Sequence, residues 1–164
     1  MTCELVLVRH AKSSWRHHLA SDYQRPLAKR GLRQATLMAQ RQAFIHEDAL
    51  LLCSPSVRTM QTAALMLEGK PALQTRLRIA PELYEATLPQ LLKLITATPD
   101  SVQQLVLVGH NPGLADLVLH LTDNELIKFT TAMQIRITLP NWHQAGNDAG
   151  VLTDVIYAEE VEIG

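Results

Sequence analysis

Two histidines stand in nearly identical surroundings at positions 10 and 110. Each follows an aliphatic run that ends in a basic or small residue: the segments are LVLVRHAKSSW at residues 5–15 and LVLVGHNPG at residues 105–113. A neutral imidazole is an effective nucleophile toward phosphorus, and it can also hydrogen bond to an anion. His10 and His110 can therefore act together if the fold brings them to one place.

Two arginines accompany the histidines. Arg9 closes the first aliphatic run, and a third segment of the same kind, ALLLCSPSVR at residues 49–58, ends at Arg58. Ser54 is predicted to be an N-cap and Pro55 the first helical residue, so that Arg58 falls in the first turn of a helix. A planar guanidinium grips phosphate through paired hydrogen bonds, which makes both arginines candidate phosphate ligands.

The aliphatic runs indicate the elements that position these side chains. Leu and Val without alternation are typical of a strand buried on both faces of a parallel sheet, and ligands of such sheets bind beyond the carboxyl ends of the strands. His10 and His110 are therefore predicted to lie side by side at this edge, with Arg9 and Arg58. Two helix N-termini, one of them following Asn111-Pro112, add N–H groups and positive dipole ends. This set predicts a site for a phosphoryl dianion, in which the guanidiniums disfavour protonated His10.

Strands and helices alternate along the chain, which predicts an α/β fold. We expect a three-layer sandwich with a mainly parallel central sheet flanked by helices, in one domain of residues 1–164. The last two strands are predicted to form an antiparallel hairpin at the sheet edge, because no helix separates them. The predicted strands are residues 4–8, 49–53, 78–80, 105–108, 134–139 and 151–157, and the predicted helices are residues 29–44, 56–67, 88–97 and 113–121.

The composition is that of an ordinary globular domain. The 164 residues are 47% hydrophobic, which disfavours disorder. No run reaches the roughly 18 apolar residues of a membrane span, and Glu4 and Arg9 interrupt the opening apolar stretch, so neither a membrane span nor a signal peptide is predicted. Cys3 and Cys53 are isolated thiols on predicted strands, typical of core residues in a reducing compartment. We expect a cytoplasmic protein with no membrane partner.

The net charge of −1 hides an asymmetry between the two halves of the chain. Residues 1–78 hold 12 Lys and Arg against 5 Asp and Glu, whereas residues 79–164 hold 3 against 11. The basic half carries the predicted anion site, so its field can speed the encounter with a phosphorylated partner. Alternatively, the cations of the first helix simply face water. Nucleic acid is not an expected partner, because the chain has no aromatic stacking set and no known binding motif.

Three ordered motifs resemble the histidine phosphatase superfamily, the phosphoglycerate-mutase-like enzymes. They are Arg9-His10 after the first strand, SPSVRTMQTA at residues 54–63, and Gly109-His110 after a late strand. The short chain, the RHAKSSW motif, and Asp22 with Arg25-Pro26-Leu27 ahead of Arg30-Gly31 resemble the SixA-like branch, whose best-known activity removes phosphate from phosphohistidine on signalling proteins. Ala11 stands where the superfamily usually has glycine. Alanine at this position is common in the SixA-like branch.

The resemblance implies a metal-independent phosphatase that needs no cofactor. His10 attacks the phosphorus in line and becomes a phosphohistidine, which water then hydrolyses. Arg9, Arg58 and His110 neutralise the equatorial oxygens, where positioning and electrostatics supply most of the acceleration. Arg25 is a further candidate for substrate binding.

Several other polar residues carry less information. Ser13 can donate a hydrogen bond to the phosphate, or it can be an ordinary loop serine. His17 and His18 lie in a polar loop, where they can be plain surface residues or help to bind a substrate. The remaining histidines have no neighbours at the spacing of a zinc site, so we expect structural roles for them and no metal; they are His46, His120 and His143.

The acid that protonates the leaving group is the least defined part of the predicted site. Phosphate esters leave as alkoxides and need a proton, which superfamily members commonly obtain from a carboxylic acid. Glu82, after a short predicted strand, is the first candidate and Glu85 the second, with a solvated loop glutamate as the alternative. The imidazole of phosphohistidine is a far less basic leaving group, so an enzyme for that substrate can work without a strong acid.

Three function classes remain open from the sequence. The first is a phosphohistidine phosphatase that acts on a protein, for example a histidine phosphotransfer domain. The second is a phosphomonoesterase for a small phosphorylated metabolite, which is favoured if Glu82 reaches the site. The third is a phospho-dependent binding module without turnover, against which the intact catalytic set argues.

Overall fold

The two aliphatic runs before the histidines pair with each other at the centre of a parallel sheet. In the computed structural model, which describes residues 2–15, 21–125 and 128–158, strand β1 (Cys3–Arg9) lies parallel to β4 (Gln104–Gly109). Leu5 is opposite Leu105, and Arg9 is opposite Gly109. This register ends both strands at the same level, so the residues that follow them emerge side by side.

The other strands extend this pair on both sides. Within the described residues the sheet has six strands in the order β3-β2-β4-β1-β5-β6. Only β5 runs against the rest, antiparallel to both β1 and β6. The predicted mainly parallel sheet with an antiparallel pair at one edge is thus confirmed. The added strands are β2 (Leu50–Cys53), β3 (Leu77–Ile79), β5 (Gln134–Leu139) and β6 (Val151–Ile156).

Helices cover both faces of the sheet. They are α1 (Lys29–Arg41), α2 (Val57–Met66), α3 (Pro71–Gln74), α4 (Leu88–Thr96) and α5 (Gly113–Thr122), with 3-10 turns at Asp22–Gln24 and Pro81–Leu83. Helix α1 ends three residues before its predicted end, because Gln42 adopts an extended conformation while its N–H still bonds to the Met38 carbonyl. The short α3, which begins at a proline, was not predicted.

The alternation of core contacts along β1 shows why this strand needs apolar residues at every position. Leu5 and Leu7 pack into a cluster with residues of α4 and α5, whereas Val6 and Val8 pack into a second cluster with residues of α2. All four side chains are at most 1% exposed. An unbroken aliphatic run is the expected pattern for a strand covered on both faces, so the prediction from the sequence is confirmed.

Helix length bears on the membrane question. The longest helix in the described part of the chain is α1, with 13 residues, and none of the helices there is both long and apolar enough to cross a bilayer.

Candidate active site

His10 and His110 lie next to each other at the carboxyl ends of β1 and β4. Their ring centroids are 5.5 Å apart, and each residue is 7% exposed. The backbone N–H of His10 donates to the Gly109 carbonyl at 3.1 Å, so the sheet pairing continues up to the histidine. The predicted juxtaposition of two residues 100 positions apart is therefore present in the fold.

The hydrogen bonds of His10 decide which of its ring nitrogens is free. Nδ1 lies 2.7 Å from the Ala11 carbonyl oxygen, which can only accept, so Nδ1 carries the proton. Nε2 then keeps its lone pair. Burial, together with the nearby charges of Arg58 and Arg9, lowers the pKa of His10 from 6.5 to about 3. At neutral pH the ring is a neutral imidazole with a nucleophilic Nε2.

His110 is held in the opposite tautomer. Its Nδ1 lies 3.3 Å from a terminal nitrogen of Arg58, which can only donate. The Nε2–H of His110 therefore donates to Ser54 Oγ at 2.7 Å. Burial and the Arg58 charge lower the pKa of His110 to about 4, so this ring is also neutral at pH 7.

The local structure around Ser54 corrects the predicted start of α2. Ser54 is not the N-cap, because its N–H still bonds to the Val108 carbonyl at 3.0 Å and so continues the pairing of β2 with β4. The N-cap is Ser56, whose hydroxyl accepts from the Thr59 N–H, and Val57 is the first helical residue. Ser54 is thereby free to contact His110.

Arg58 is a buried cation with its donors directed at three groups. The side chain is 6% exposed, and its terminal nitrogens donate to the Asp22 carbonyl at 2.7 Å and to Asp22 Oδ2 at 3.1 Å, besides the contact to His110. The first turn of α2 presents Arg58 at the end of β2, as predicted. The Thr62 hydroxyl, which donates to the Arg58 carbonyl, also accepts from the Ala11 N–H and so ties α2 to the loop after His10.

Arg9 faces the same cavity from the end of β1. One terminal nitrogen donates to the Phe129 carbonyl at 2.9 Å, and burial lowers the pKa of the guanidinium from its usual value. Its Nε, like that of Arg58, is buried and has no hydrogen-bond partner among the described residues. Buried donors in proteins are normally paired. The two guanidiniums therefore retain donor capacity that a bound oxyanion can use.

Asp22 is the residue whose importance the sequence did not reveal. Its carboxylate accepts from Arg58, from Arg25 Nε at 3.2 Å and from the Tyr84 hydroxyl at 2.6 Å. The Tyr84 hydrogen bond and the Arg58 charge lower the pKa of Asp22 to about 2, so it is ionised at neutral pH. The Tyr84 ring also meets the His110 ring edge-on at 5.5 Å. The only sequence signal for this role was the place of Asp22 in a motif with Arg25.

Arg25 and Ser13 are brought to the site together. Arg25 donates to Ser13 Oγ at 2.7 Å, and both residues are less than 9% exposed. Ser13 pairs with Leu27 in an isolated β-bridge, which fixes the loop that carries it. In this structure Ser13 thus holds Arg25 in place by accepting its hydrogen bond.

Glycine at position 31 allows α1 to lie against the loop that follows His10. A Cβ at Gly31 would stand 2.0 Å from the Lys12 carbonyl oxygen, which only an unsubstituted residue avoids. The same oxygen accepts from the Ala28 N–H at 2.9 Å. Gly113 has the matching role in α5, where a Cβ would stand 2.3 Å from the Ala86 carbonyl oxygen. Both histidine loops are therefore clamped by backbone contacts.

The side chains described so far surround a cavity of about 580 Å³. Its walls include Arg9, His10, Ser13, Arg25, Arg58 and His110. Glu82 is not among the lining residues: it is exposed in the 3-10 turn, whereas the following Leu83 is buried in the core. Glu85, with a left-handed φ of 53°, does line the cavity, as does Asp116. The geometry thus favours the second candidate acid over the first.

The other histidines that the structure describes are not on the cavity wall. His17 and His18 fall outside the described residues. His46 pairs with Glu4 at 3.7 Å and His143 with Asp100 at 3.0 Å, neither of them on the cavity wall. Across residues 2–15, 21–125 and 128–158, no three His, Cys, Asp or Glu side chains are grouped so as to hold a metal ion.

The lowered pKa values predict that acid destabilises the folded protein. The unfolded chain binds protons at His10 and His110 near pH 6.5, whereas the folded chain binds them only near pH 3 and 4. The free energy of unfolding should therefore fall as the pH is lowered below 6.5, by at most about 2 kcal/mol per histidine down to pH 5. Urea unfolding at pH 7 and pH 5 measures this loss.

Replacement of a titrating histidine supplies the control for that measurement. In the His10→Ala variant the loss between pH 7 and pH 5 should be smaller than in the wild type, because one proton fewer is taken up on unfolding. The same loss in both proteins would show that His10 titrates normally in the folded state.

Comparison with known proteins agrees with this geometry. The family model of the histidine phosphatase superfamily (branch 1) matches residues 5–104. An uncharacterised protein of Mycobacterium tuberculosis (strain ATCC 25618 / H37Rv) is 36% identical over 113 residues, which cover 68% of each chain.

Solved structures share the whole fold. A SixA from Nakamurella multipartitia superposes with a TM-score of 0.78 at 24% identity, and the match covers 96% of this chain and 96% of that one. The protein histidine phosphatase SixA complexed with tungstate superposes with a TM-score of 0.76 at 22% identity, and the match covers 96% of this chain and 99% of that one. The fold is therefore of the SixA-like, phosphoglycerate-mutase-like type. On the family match and this shared architecture, the chain belongs to branch 1 of the histidine phosphatase superfamily.

Proposed function

We propose that this protein removes the phosphoryl group from phosphohistidine on a partner protein, through a covalent phosphohistidine at His10. The observation that carries the proposal is the state of His10, a buried neutral imidazole whose Nδ1 is committed to the Ala11 carbonyl and whose Nε2 is left as a base. Among the relatives by fold is a protein histidine phosphatase complexed with tungstate, a tetrahedral oxyanion of the size and charge of phosphate.

In the first step, Nε2 of His10 attacks the phosphorus in line. The substrate imidazole is protonated on its other nitrogen before the bond breaks. The new N–P bond then forms as the old one breaks, and the ring leaves as a neutral imidazole that keeps the electron pair of that bond. The negative charge on the equatorial oxygens faces the half-buried guanidinium of Arg9 and the buried guanidinium of Arg58, which stabilise it. Because these two cations supply the positive charge, we propose that no metal ion or other cofactor takes part.

In the second step, water attacks the phosphohistidine at position 10. The N–P bond to Nε2 breaks, inorganic phosphate is released, and the imidazole regains its lone pair. The Ala11 carbonyl keeps the proton on Nδ1 throughout, so the ring returns to its starting tautomer without rearrangement.

His110 stabilises the arrangement as a neutral group. Its ring links Arg58 to Ser54, and its pKa of about 4 keeps a second positive charge away from His10. A cationic His110 would bind phosphate more strongly in the ground state, but it would also oppose the positive charge that forms on His10 during attack.

A small-molecule phosphomonoesterase is the second candidate function, and one observation favours it. Glu85 and Asp116 line the cavity, so a carboxylic acid is available to protonate an alkoxide. Phosphohistidine does not need that proton donor, because its imidazole can be protonated in solution before the bond breaks. The two functions therefore differ in how much they depend on Glu85.

The leaving group provides the test. We expect the wild type to show a higher kcat/KM on a phosphohistidine-bearing histidine phosphotransfer domain than on alkyl phosphates such as phosphoserine. We further expect Glu85→Gln to slow phosphoserine hydrolysis by roughly 10²- to 10⁴-fold, typical of a lost general acid, with a change within about threefold on phosphohistidine. Release of inorganic phosphate measures both reactions.

The matched control is Glu82→Gln, which makes the same chemical change on the exposed side of the 3-10 turn. It should leave both rates within about twofold of the wild type. A selective loss of ester hydrolysis in Glu82→Gln would instead show that Glu82 is the acid that protonates the leaving group. Faster hydrolysis of phosphoserine than of phosphohistidine by the wild type would favour the phosphomonoesterase.

A further inference from the structure

An exposed aromatic side chain, Trp15, lies at the mouth of the cavity and is not packed in the core. Trp15 is 70% exposed, whereas the other tryptophan, Trp142, is 1% exposed in the core. Trp15 lines the cavity that holds His10. Tyr23, 40% exposed, belongs to the 3-10 turn that also provides Asp22. An indole so exposed leaves much of its apolar area in contact with water.

Trp15 is nevertheless held in one orientation. The guanidinium of Arg25 lies 3.5 Å from the centre of the indole ring, within the distance of a stacked cation–π contact. Arg25 is in turn fixed by Ser13 and by Asp22, which also binds Arg58. A pre-oriented aromatic ring loses little conformational freedom on binding, and tryptophan and arginine are enriched among the residues that dominate protein interfaces.

The nucleophile lies below the surface of the cavity mouth. His10 is only 7% exposed, so a phosphorylated side chain must reach into the cavity to meet Nε2. When the phosphoryl group sits on a protein, the surface around its histidine is then brought against the rim. A small phosphorylated metabolite makes no such contact beyond the cavity.

The charges at the rim indicate which surface fits against Trp15. Lys12, three residues before Trp15, is exposed and lines the cavity. The exposed Lys29 is close to it, because the start of α1 lies against the Lys12 backbone. The acidic residues of the cavity wall other than Asp22 are Glu85 and Asp116, which come from other segments of the chain than Trp15 and Lys12. The Trp15 side thus combines an apolar ring with positive charge, which complements a surface of apolar and acidic side chains.

We infer that Trp15, held by Arg25, is the docking residue for the phosphohistidine-bearing partner protein, and that it selects proteins over small phosphorylated compounds. The inference rests on the proposed function and adds the surface by which the partner is recognised. Trp15 contacts the apolar surface beside the partner's phosphohistidine, while acidic side chains of the partner face Lys12 and Lys29.

The test compares Trp15→Ala with the wild type on two substrates that carry the same reacting group. These are a histidine phosphotransfer domain phosphorylated on histidine, and free phosphohistidine. KM for the phosphoprotein should rise by about 10- to 30-fold, as for the loss of a central interface residue. The fold-rise in KM for free phosphohistidine should be at least tenfold smaller. Trp15→Phe should recover part of the affinity for the phosphoprotein. Equal losses on both substrates would overturn the inference, because Trp15 would then act only through Arg25.

The control variant is Val151→Ala, which removes a side chain that is 65% exposed at the far end of the sheet. It should change neither KM. A similar rise in KM for the phosphoprotein would show that any exposed apolar residue has this effect.

Fluorescence separates this inference from the proposed function. Because Trp142 is buried, iodide should quench mainly the fluorescence of Trp15. When the phosphorylated domain binds the His10→Ala variant, it should protect Trp15 from this quenching. Absence of protection would overturn the docking role even if the wild type hydrolyses phosphohistidine. Protection without hydrolysis by the wild type would retain the docking surface and reject the proposed function.

Discussion

Replacement of His10 by alanine should abolish turnover and leave the fold intact. The variant loses Nε2, the atom that we propose bonds to phosphorus, and no other described side chain on the cavity wall offers an equivalent neutral imidazole in the same tautomer. We expect kcat to fall by roughly 10⁴- to 10⁶-fold on every substrate, as for the loss of a catalytic nucleophile. Because His10 sits in a loop beyond β1, the thermal midpoint should shift by no more than about 4 °C.

The matched control is His143→Ala, which removes an exposed histidine paired with Asp100 outside the cavity. Its activity should stay within about twofold of the wild type. Rapid quenching of the wild type in alkaline detergent during turnover should trap phosphate on His10 as an adduct that is stable in alkali and lost in acid. Labelled phosphate on any other residue would contradict the assignment of the nucleophile.

Replacement of Arg58 by alanine should be nearly as damaging. Its buried guanidinium contacts His110 and Asp22, and under the proposed function it also binds the phosphoryl oxygens. The loss of one preorganised charged donor in such a site costs about 10³-fold or more in kcat/KM. Steady-state kinetics on free phosphohistidine measures the effect, with circular dichroism to confirm that the variant is folded.

Arg58→Lys separates charge from geometry. Lysine keeps the positive charge but presents a single ammonium in place of a planar fork, so it cannot serve Asp22, His110 and the phosphate together. We expect it to remain at least about 10²-fold below the wild type. The control Arg33→Ala, on the exposed surface of α1, should be nearly neutral on the same small substrate. Recovery of wild-type rates by Arg58→Lys would show that the charge alone is sufficient.

The sequence by itself determined the sheet centre and the histidine pair. The run LVLV before each histidine has no polar position, so each strand had to be covered on both faces, and two such strands of a parallel sheet end at one edge. The placement of His10 and His110 follows from this local pattern. Helix α2 with Arg58 in its first turn also followed from local signals, although the N-cap is two residues later than predicted.

The tertiary structure alone decided how the charges are arranged. Asp22 lies 36 positions from Arg58 and 62 from Tyr84, and nothing in the spacing of these residues shows that one carboxylate accepts from both. Ser54 reads locally as a helix cap, yet its contact is with His110, 56 positions away. Such hydrogen bonds depend on which loops pack together, and local propensity does not encode that choice.

The choice between Glu82 and Glu85 as the acid was also decided by tertiary packing and not by the sequence. Both glutamates lie in one short segment, and the sequence could only rank them by position. In the fold, Leu83 is buried and the backbone at Glu85 is left-handed. Both glutamates are exposed, but Glu85 lines the cavity and Glu82 does not. Sequence periodicity determines which strands and helices form, because it reports burial along one element. Tertiary packing decides which side chains share the cavity, because that depends on contacts between elements far apart in the chain.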